Sequence, residues 1–323
     1  MNGGGNMFLQ YEPSKHNIIQ ASEWIQKMIH HTPILSSKSL NSILECKLFF
    51  KCENLQKVGA FKYRGASFAV LSLPKIDFKK GVATHSSGNH AAALALAAKT
   101  RNIPAYIVMP RTVPQIKKVA VEGYGAKIVF CEPTLQAREK ELAKVVAETG
   151  ATFVHPYDNY SVIAGQATCA KEIFEELGEL DYLISPVGGG GLLSGTCLSG
   201  KYFSPKTKII GAEPKAADDA FRSLRDGSIQ PSVNPQTICD GLLTQLSEKT
   251  FSIIKNNVSE IITCSEETII AAMRMIWERM KIVIEPSAAV PLAVVLENKK
   301  KFIGKRVCLI LSGGNVDLEK LPW

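Results

Sequence analysis

Lys62 and Arg64 lie in the stretch GAFKYRGA, residues 59 to 66, among Gly59, Ala60, Phe61, Tyr63, Gly65 and Ala66. That company suits a solvated charge cluster poorly, although most lysines simply point into water. A primary amine held in an apolar, partly desolvated site has a lowered pKa, and its free base can form a Schiff base with a carbonyl. Three Gly- and Ser-rich clusters each follow an apolar strand-like run, where an open α/β sheet places its ligand crevice. They are HSSGNH (His85 to His90), VGGGGLLSG (Val187 to Gly195) and LSGGNVD (Leu311 to Asp317).

In the second cluster Gly188, Gly189, Gly190 and Gly191 leave the run YLISPV and enter a helix. Their backbone N–H groups can converge on an anion, and the helix N-terminus adds a favourable dipole. The run is neither GxGxxG nor the phosphate loop with its Lys-Ser/Thr ending, which disfavours a dinucleotide. A glycine-rich turn that allows tight strand-to-helix packing explains it equally well. An amine for a carbonyl and a cradle for a phosphate are both satisfied by pyridoxal 5'-phosphate, which carries an aldehyde and a phosphate on one ring.

The elements that must position these groups alternate along the chain. GVATHS, AYIVM, KIVFCE, ATFVHPY, YLISPVG, KIIGAEP and VCLILSGG read as strands, most of them followed by helical patterns, as parallel α/β units require. Two further helices are expected over 265–281 and 285–298. With 323 residues, 46% of them hydrophobic, the chain can bury a large core. The opening MNGGGNMFLQYEPSK has no basic and apolar leader pattern, and no run approaches the roughly eighteen apolar residues of a membrane span, so a cytoplasmic protein is expected. Eight scattered cysteines without a CxxC pair read as buried reduced thiols. The net charge of +8 is spread out, its densest run being Lys299 to Lys301. This argues against a nucleic-acid partner and for anionic small molecules.

KCENLQKVGAFKYRGA, THSSGNHAAALALAAK, PVGGGGLLSG, AEPKAADD, IEPSAAV and LSGGNVDL together closely resemble the serine racemase and serine/threonine dehydratase family of fold-type II pyridoxal phosphate enzymes. The matches keep order and spacing from about residue 17 to residue 318. The resemblance implies a tryptophan synthase β-like α/β fold: a large domain from residues 1–80 plus 152–323, with a smaller α/β domain, 81–151, inserted. It implies a homodimer, with ATP at the subunit interface as an effector in some members. It departs from the racemase pattern at GNHAAA and at HPYDNY, both on the expected substrate side.

Residue by residue, the resemblance makes Lys62 the Schiff-base lysine and the base on one face of the substrate, and Phe61 the residue stacked on the cofactor ring. Asn89 meets the cofactor's phenolic oxygen, Gly188 to Gly191 hold its phosphate, and Ser312 faces its pyridine nitrogen. Ser86, Ser87, Gly88, Asn89 and His90 form the substrate-carboxylate loop. Ser87 matches the acid/base on the face opposite Lys62, unless it only binds carboxylate or caps the following helix. Glu213, Ala217 and Asp219 match a site for Mg²⁺, or Ca²⁺ or Mn²⁺, for which a solvated acidic helix start is the plain alternative. The expected activity is serine racemisation with L-serine and L-threonine dehydration. Arg138 matches an arginine near the cleft of serine racemases, placed where it could meet a second carboxylate, which makes a threo-3-hydroxyaspartate dehydratase or an aspartate racemase the alternative; a surface arginine on a helix is the plain reading of the same residue. β-Replacement on the same fold and a non-catalytic binding protein are less consistent with AFKYRGA and with intact Lys62, Ser87 and Ser312.

Overall fold

A computed structural model describes residues 8–113 and 115–323, so the opening read as free of a leader lies partly outside the described residues. The strands are β1 (Ile34–Leu35), β2 (Lys47–Cys52), β3 (Val82–His85), β4 (Ala105–Pro110), β5 (Lys127–Cys131), β6 (Thr152–Phe153), β7 (Tyr182–Pro186), β8 (Lys208–Pro214), β9 (Glu260–Cys264) and β10 (Arg306–Leu311). They form a six-stranded sheet, β1-β2-β10-β7-β8-β9, and a four-stranded sheet, β5-β4-β3-β6. Every pairing is parallel except β1 with β2.

Parallel strands are covered on both faces, so their side chains are apolar without alternation. In β7 and β10, Ile184 and Leu309 pack into one core with Met273, Ile276 and Leu292 from helices Glu266–Met280 and Pro286–Glu297. Leu183 and Ile310 pack into the other, with Ile163, Ile173 and Leu198 from helices Tyr160–Leu177 and Gly191–Phe203. The smaller sheet takes all its strands from Val82–Phe153, with Ile107 and Leu94 in one core and Val108 and Leu142 in another. Its last strand passes residue 151, the expected edge of the insert, because Thr152 and Phe153 pair with Val82 and Ala83.

Helix Lys62–Leu71 runs between the two halves and meets Tyr160–Leu177 through glycine. A Cβ on Gly165 would stand 2.6 Å from the Gly65 Cα, so no larger residue fits there. A buried ion network pins the same helix. The Arg64 guanidinium donates to Glu53 (2.8 Å twice) and to Glu172 (2.7 and 2.8 Å), while Lys51 donates to Glu172 at 2.6 Å and to the Thr32 carbonyl at 2.8 Å. Arg64, Lys51 and Glu53 are fully enclosed, which explains a charge inside GAFKYRGA other than Lys62. All eight cysteines are buried free thiols. No described helix is long and apolar enough to cross a membrane.

Candidate active site

The lysine motif and the SGGN segment form one seam. Ala60 and Gly313 make an antiparallel bridge, the Phe61 N–H donates to the Ser312 carbonyl at 3.0 Å, and the Gly314 N–H donates to the Gly59 carbonyl at 2.9 Å. Lys62 opens its helix and is half-buried, with Nζ 5.2 Å from the Phe61 ring centre and donating to the Pro156 carbonyl at 3.0 Å. Desolvation lowers its pKa to about 8, against the opposing charge of Glu285. Ser312 is buried beside this seam.

The loop Ser86 to Gly88 leaves β3 and starts helix Asn89–Thr100. Gly88 is the N-cap and no side chain caps this helix, so Ser87 does not have the capping role that SGN allowed. Asn89 Nδ2 donates to both Glu285 oxygens, at 3.1 and 3.2 Å. Asn315 closes the group, donating from Nδ2 to Asn89 Oδ1 (2.9 Å) and from its backbone to Glu285 Oε2 (3.2 Å). Glu285 was given no role from the sequence, although it stands alone among apolar residues in IVIEPSAAV. Burial, then the nearby Asp240 charge, raises its pKa to about 7, while Asn89 and the Asn315 N–H pull the other way. His90 is buried, its Nε2 3.0 Å from the Val154 carbonyl, which makes it a brace beneath the loop.

Gly188 to Gly191 are buried at the start of helix Gly191–Phe203. A Cβ on Gly189 would stand 2.3 Å from the Tyr157 ring and one on Gly191 would stand 2.9 Å from the Tyr157 Cβ, while Gly190 has φ +87°. The tight-packing and anion-cradle readings therefore describe one feature: side chains are excluded, and the backbone at the helix N-terminus is left bare. Tyr157 follows Pro156, the acceptor of Lys62, so one short loop touches both the amine and the glycines.

Arg138, on helix Leu135–Thr149, is half-buried. It forms no ion pair among the described residues, and its Nε is buried without a hydrogen-bond partner. Its charge reaches His85, whose pKa is lowered first by burial and then by Arg138. Glu213, Ala217 and Asp219 lie apart from this group, at the end of β8 and the start of helix Asp219–Asp226. The Glu213 carboxylate accepts the N–H groups of Ala220 (2.9 Å) and Phe221 (2.8 Å), and Asp219 is buried, its pKa raised to about 6 by desolvation against hydrogen bonding from Ser232 and its own backbone. Among the described residues no cluster of three or more His, Cys, Asp or Glu side chains is placed to hold a metal.

A desolvated amine, a glycine cradle that no Cβ could enter, and a buried hydroxyl on the seam opposite suit an aldehyde-bearing aromatic phosphate. Comparison with known proteins agrees. Residues 25–313 match the family described as pyridoxal-phosphate dependent enzyme. The chain is 52% identical to the beta-hydroxyaspartate dehydratase of Paracoccus denitrificans (strain Pd 1222), covering 97% of this chain and 99% of that one. It is 47% identical to the L-threo-3-hydroxyaspartate ammonia-lyase of Saccharomyces cerevisiae (strain ATCC 204508 / S288c), over 95% of each. The crystal structure of serine racemase from Dictyostelium discoideum superposes with a TM-score of 0.91 at 48% identity, covering 94% of this chain and 99% of that one. The chain thus belongs to the fold-type II pyridoxal phosphate enzymes of the serine racemase and dehydratase family, and is an enzyme of the racemase/ammonia-lyase type.

Proposed function

We propose that this enzyme acts on 3-hydroxyaspartate, removing the β-hydroxyl as water and taking one water back to hydrolyse the resulting imine, so that a four-carbon 2-oxo diacid and ammonia are released. The observation that carries the reading is Arg138, a half-buried guanidinium without an anionic partner, beside His85 at the head of the substrate loop. A partly enclosed cation without a protein partner is free to take an anionic ligand. The order of preference thus differs from that drawn from sequence alone, where serine came first.

When bound, pyridoxal phosphate supplies the aldehyde that takes up the substrate amine and the electron sink that makes the Cα proton acidic. Gly188 to Gly191 would hold its phosphate, Asn89 its phenolic oxygen, Phe61 its ring face and Ser312 its ring nitrogen. A neutral hydroxyl cannot keep that nitrogen protonated as a carboxylate would, which favours prompt departure of the β-hydroxyl. Lys62, with a pKa of about 8, removes the Cα proton from one face, since part of its population is free base near neutral pH. The Ser86 to Asn89 loop holds the α-carboxylate and Arg138 the β-carboxylate, which fixes the substrate for loss of its hydroxyl.

To test this, Arg138→Ala and Arg138→Lys are compared with the unaltered enzyme on 3-hydroxyaspartate and on L-serine. Loss of a charged hydrogen-bond partner predicts a fall of roughly 10²-fold in kcat/KM for hydroxyaspartate, a smaller fall for Lys, and little change for serine. Equal losses on both substrates would contradict the assignment.

Serine racemisation is the second reading, favoured by the Ser87 hydroxyl, which no helix cap consumes. It would return a proton to the face opposite Lys62. A cytoplasmic homodimer with Mg²⁺ at Glu213, Ala217 and Asp219, and with ATP as effector, completes the proposal.

A further inference from the structure

The loop between Val154 and Asn159 carries an arrangement that the assignments above leave unused. His155 is half-buried, and its Nδ1 accepts two backbone N–H groups, from Tyr157 at 3.3 Å and from Asp158 at 2.8 Å. A side-chain acceptor reaching the N–H two residues on is the defining bond of an Asx-type turn, here made by an imidazole. Pro156 stiffens the loop, since its ring fixes its own φ and biases His155 to an extended backbone. The turn is held from both sides. His90 Nε2 meets the Val154 carbonyl at 3.0 Å, and Asn159 caps helix Tyr160–Leu177 through Val162 at 3.0 Å. Between these anchors the Pro156 carbonyl accepts Lys62 Nζ at 3.0 Å.

We propose that His155 is a positioning residue for Lys62: by gathering the Tyr157 and Asp158 N–H groups it folds the turn that aims the Pro156 carbonyl at the lysine amine. The amine then has a fixed resting partner whenever it is not bonded to carbon. Two accepted N–H bonds require the Nδ1 lone pair, so the ring is neutral with its proton on Nε2. Burial, with His85, Lys62 and Lys249 nearby and Asp158 opposing, keeps His155 at about 4. The His155 ring also stands edge-on to Tyr157 at 4.6 Å, which joins the turn to the ring packed on Gly189. The inference rests on the reading of Lys62 as the reacting amine.

The experiment uses His155→Asn, His155→Gln and His155→Leu. Asn can make the same turn from its own carbonyl oxygen, Gln is one methylene too long to do so, and Leu has no acceptor. Each full-length protein is stripped of cofactor and mixed with pyridoxal 5'-phosphate. Schiff-base formation is followed by absorbance, and the linkage is trapped with borohydride and located by mass spectrometry. The expected result is label on Lys62 throughout, with H155N within about threefold of the unaltered rate and H155Q and H155L slower by about tenfold at unchanged melting temperature, the scale of a modest misplacement of a reacting group. In the loaded enzyme, the Cα-deuterium isotope effect on elimination should rise in H155Q and not in H155N. If H155L fails to fold, the comparison of H155N with H155Q decides. Label on Lys62 at equal rates in all variants, or H155N as slow as H155Q, overturns the turn alone. Label on another lysine overturns the reading of Lys62 and the proposal with it.

Discussion

At the scale of single residues, the pKa of Lys62 is the quantity on which the chemistry turns. Desolvation brings it to about 8, so the cofactor-free protein should bind pyridoxal phosphate at a rate that rises with pH through about 8, well below the range of an ordinary lysine. A midpoint near 10 in a stopped-flow series would show a solvated amine. Lys62→Ala should abolish turnover on every substrate, since no neighbouring side chain supplies both the covalent link and the proton transfer. Ser87→Ala should lower racemisation of L-serine by roughly 10²-fold while dehydration of L-serine falls less, as removing one general acid predicts. Chiral chromatography beside 2-oxo acid detection reads both, and parallel losses would reduce Ser87 to a carboxylate ligand. Lys62 was legible because its own neighbours are apolar. Glu285 has mostly apolar neighbours as well, but its part in the site shows only in contact with Asn89, 196 residues away in sequence, and with the Asn315 backbone.

Elements explain why these residues meet. Helix Lys62–Leu71 is held by the Arg64 network, so removing one partner strands buried charge. Arg64→Ala should cost about 3–5 kcal/mol in denaturant unfolding. A loss under about 1 kcal/mol would mean that water had entered and screened the remaining acids. At the start of helix Asp219–Asp226, the buried Asp219 carboxylate near Glu213 is where a cation that binds only the folded chain would stabilise it by mass action. Millimolar Mg²⁺, Ca²⁺ or Mn²⁺ should raise the melting temperature of the unaltered protein and leave Asp219→Asn unchanged. The absence of any shift with all three ions would remove the cation from the proposal. The alternating α/β pattern was readable because parallel strands are uniformly apolar. β2 escaped notice because KLFFKC carries Lys51, a charge that the distant Glu172 and the Thr32 carbonyl make tolerable inside a sheet.

Across the whole molecule, the two sheets bring the β3 loop of one unit, through Asn89, to Glu285 and Asn315 of the other. Neither half holds a complete site. The net charge of +8 favours encounter with a net-anionic dicarboxylate over neutral serine, so kcat/KM for hydroxyaspartate should fall with added salt more steeply than that for serine. Sequence alone carried the cofactor class, because the motifs that point to it are compact. The substrate was not legible, since an arginine on a helix reads as a surface charge from its sequence neighbours alone. The most direct measurement is therefore kcat/KM of the unaltered holoenzyme for each 3-hydroxyaspartate diastereomer, L-aspartate, L-threonine and both serine enantiomers, with 2-oxo acid and D-amino acid detected together. The account predicts one hydroxyaspartate diastereomer ahead of serine by roughly 10²-fold, the worth of one charged contact. Serine equal to or better than both hydroxyaspartates would contradict it.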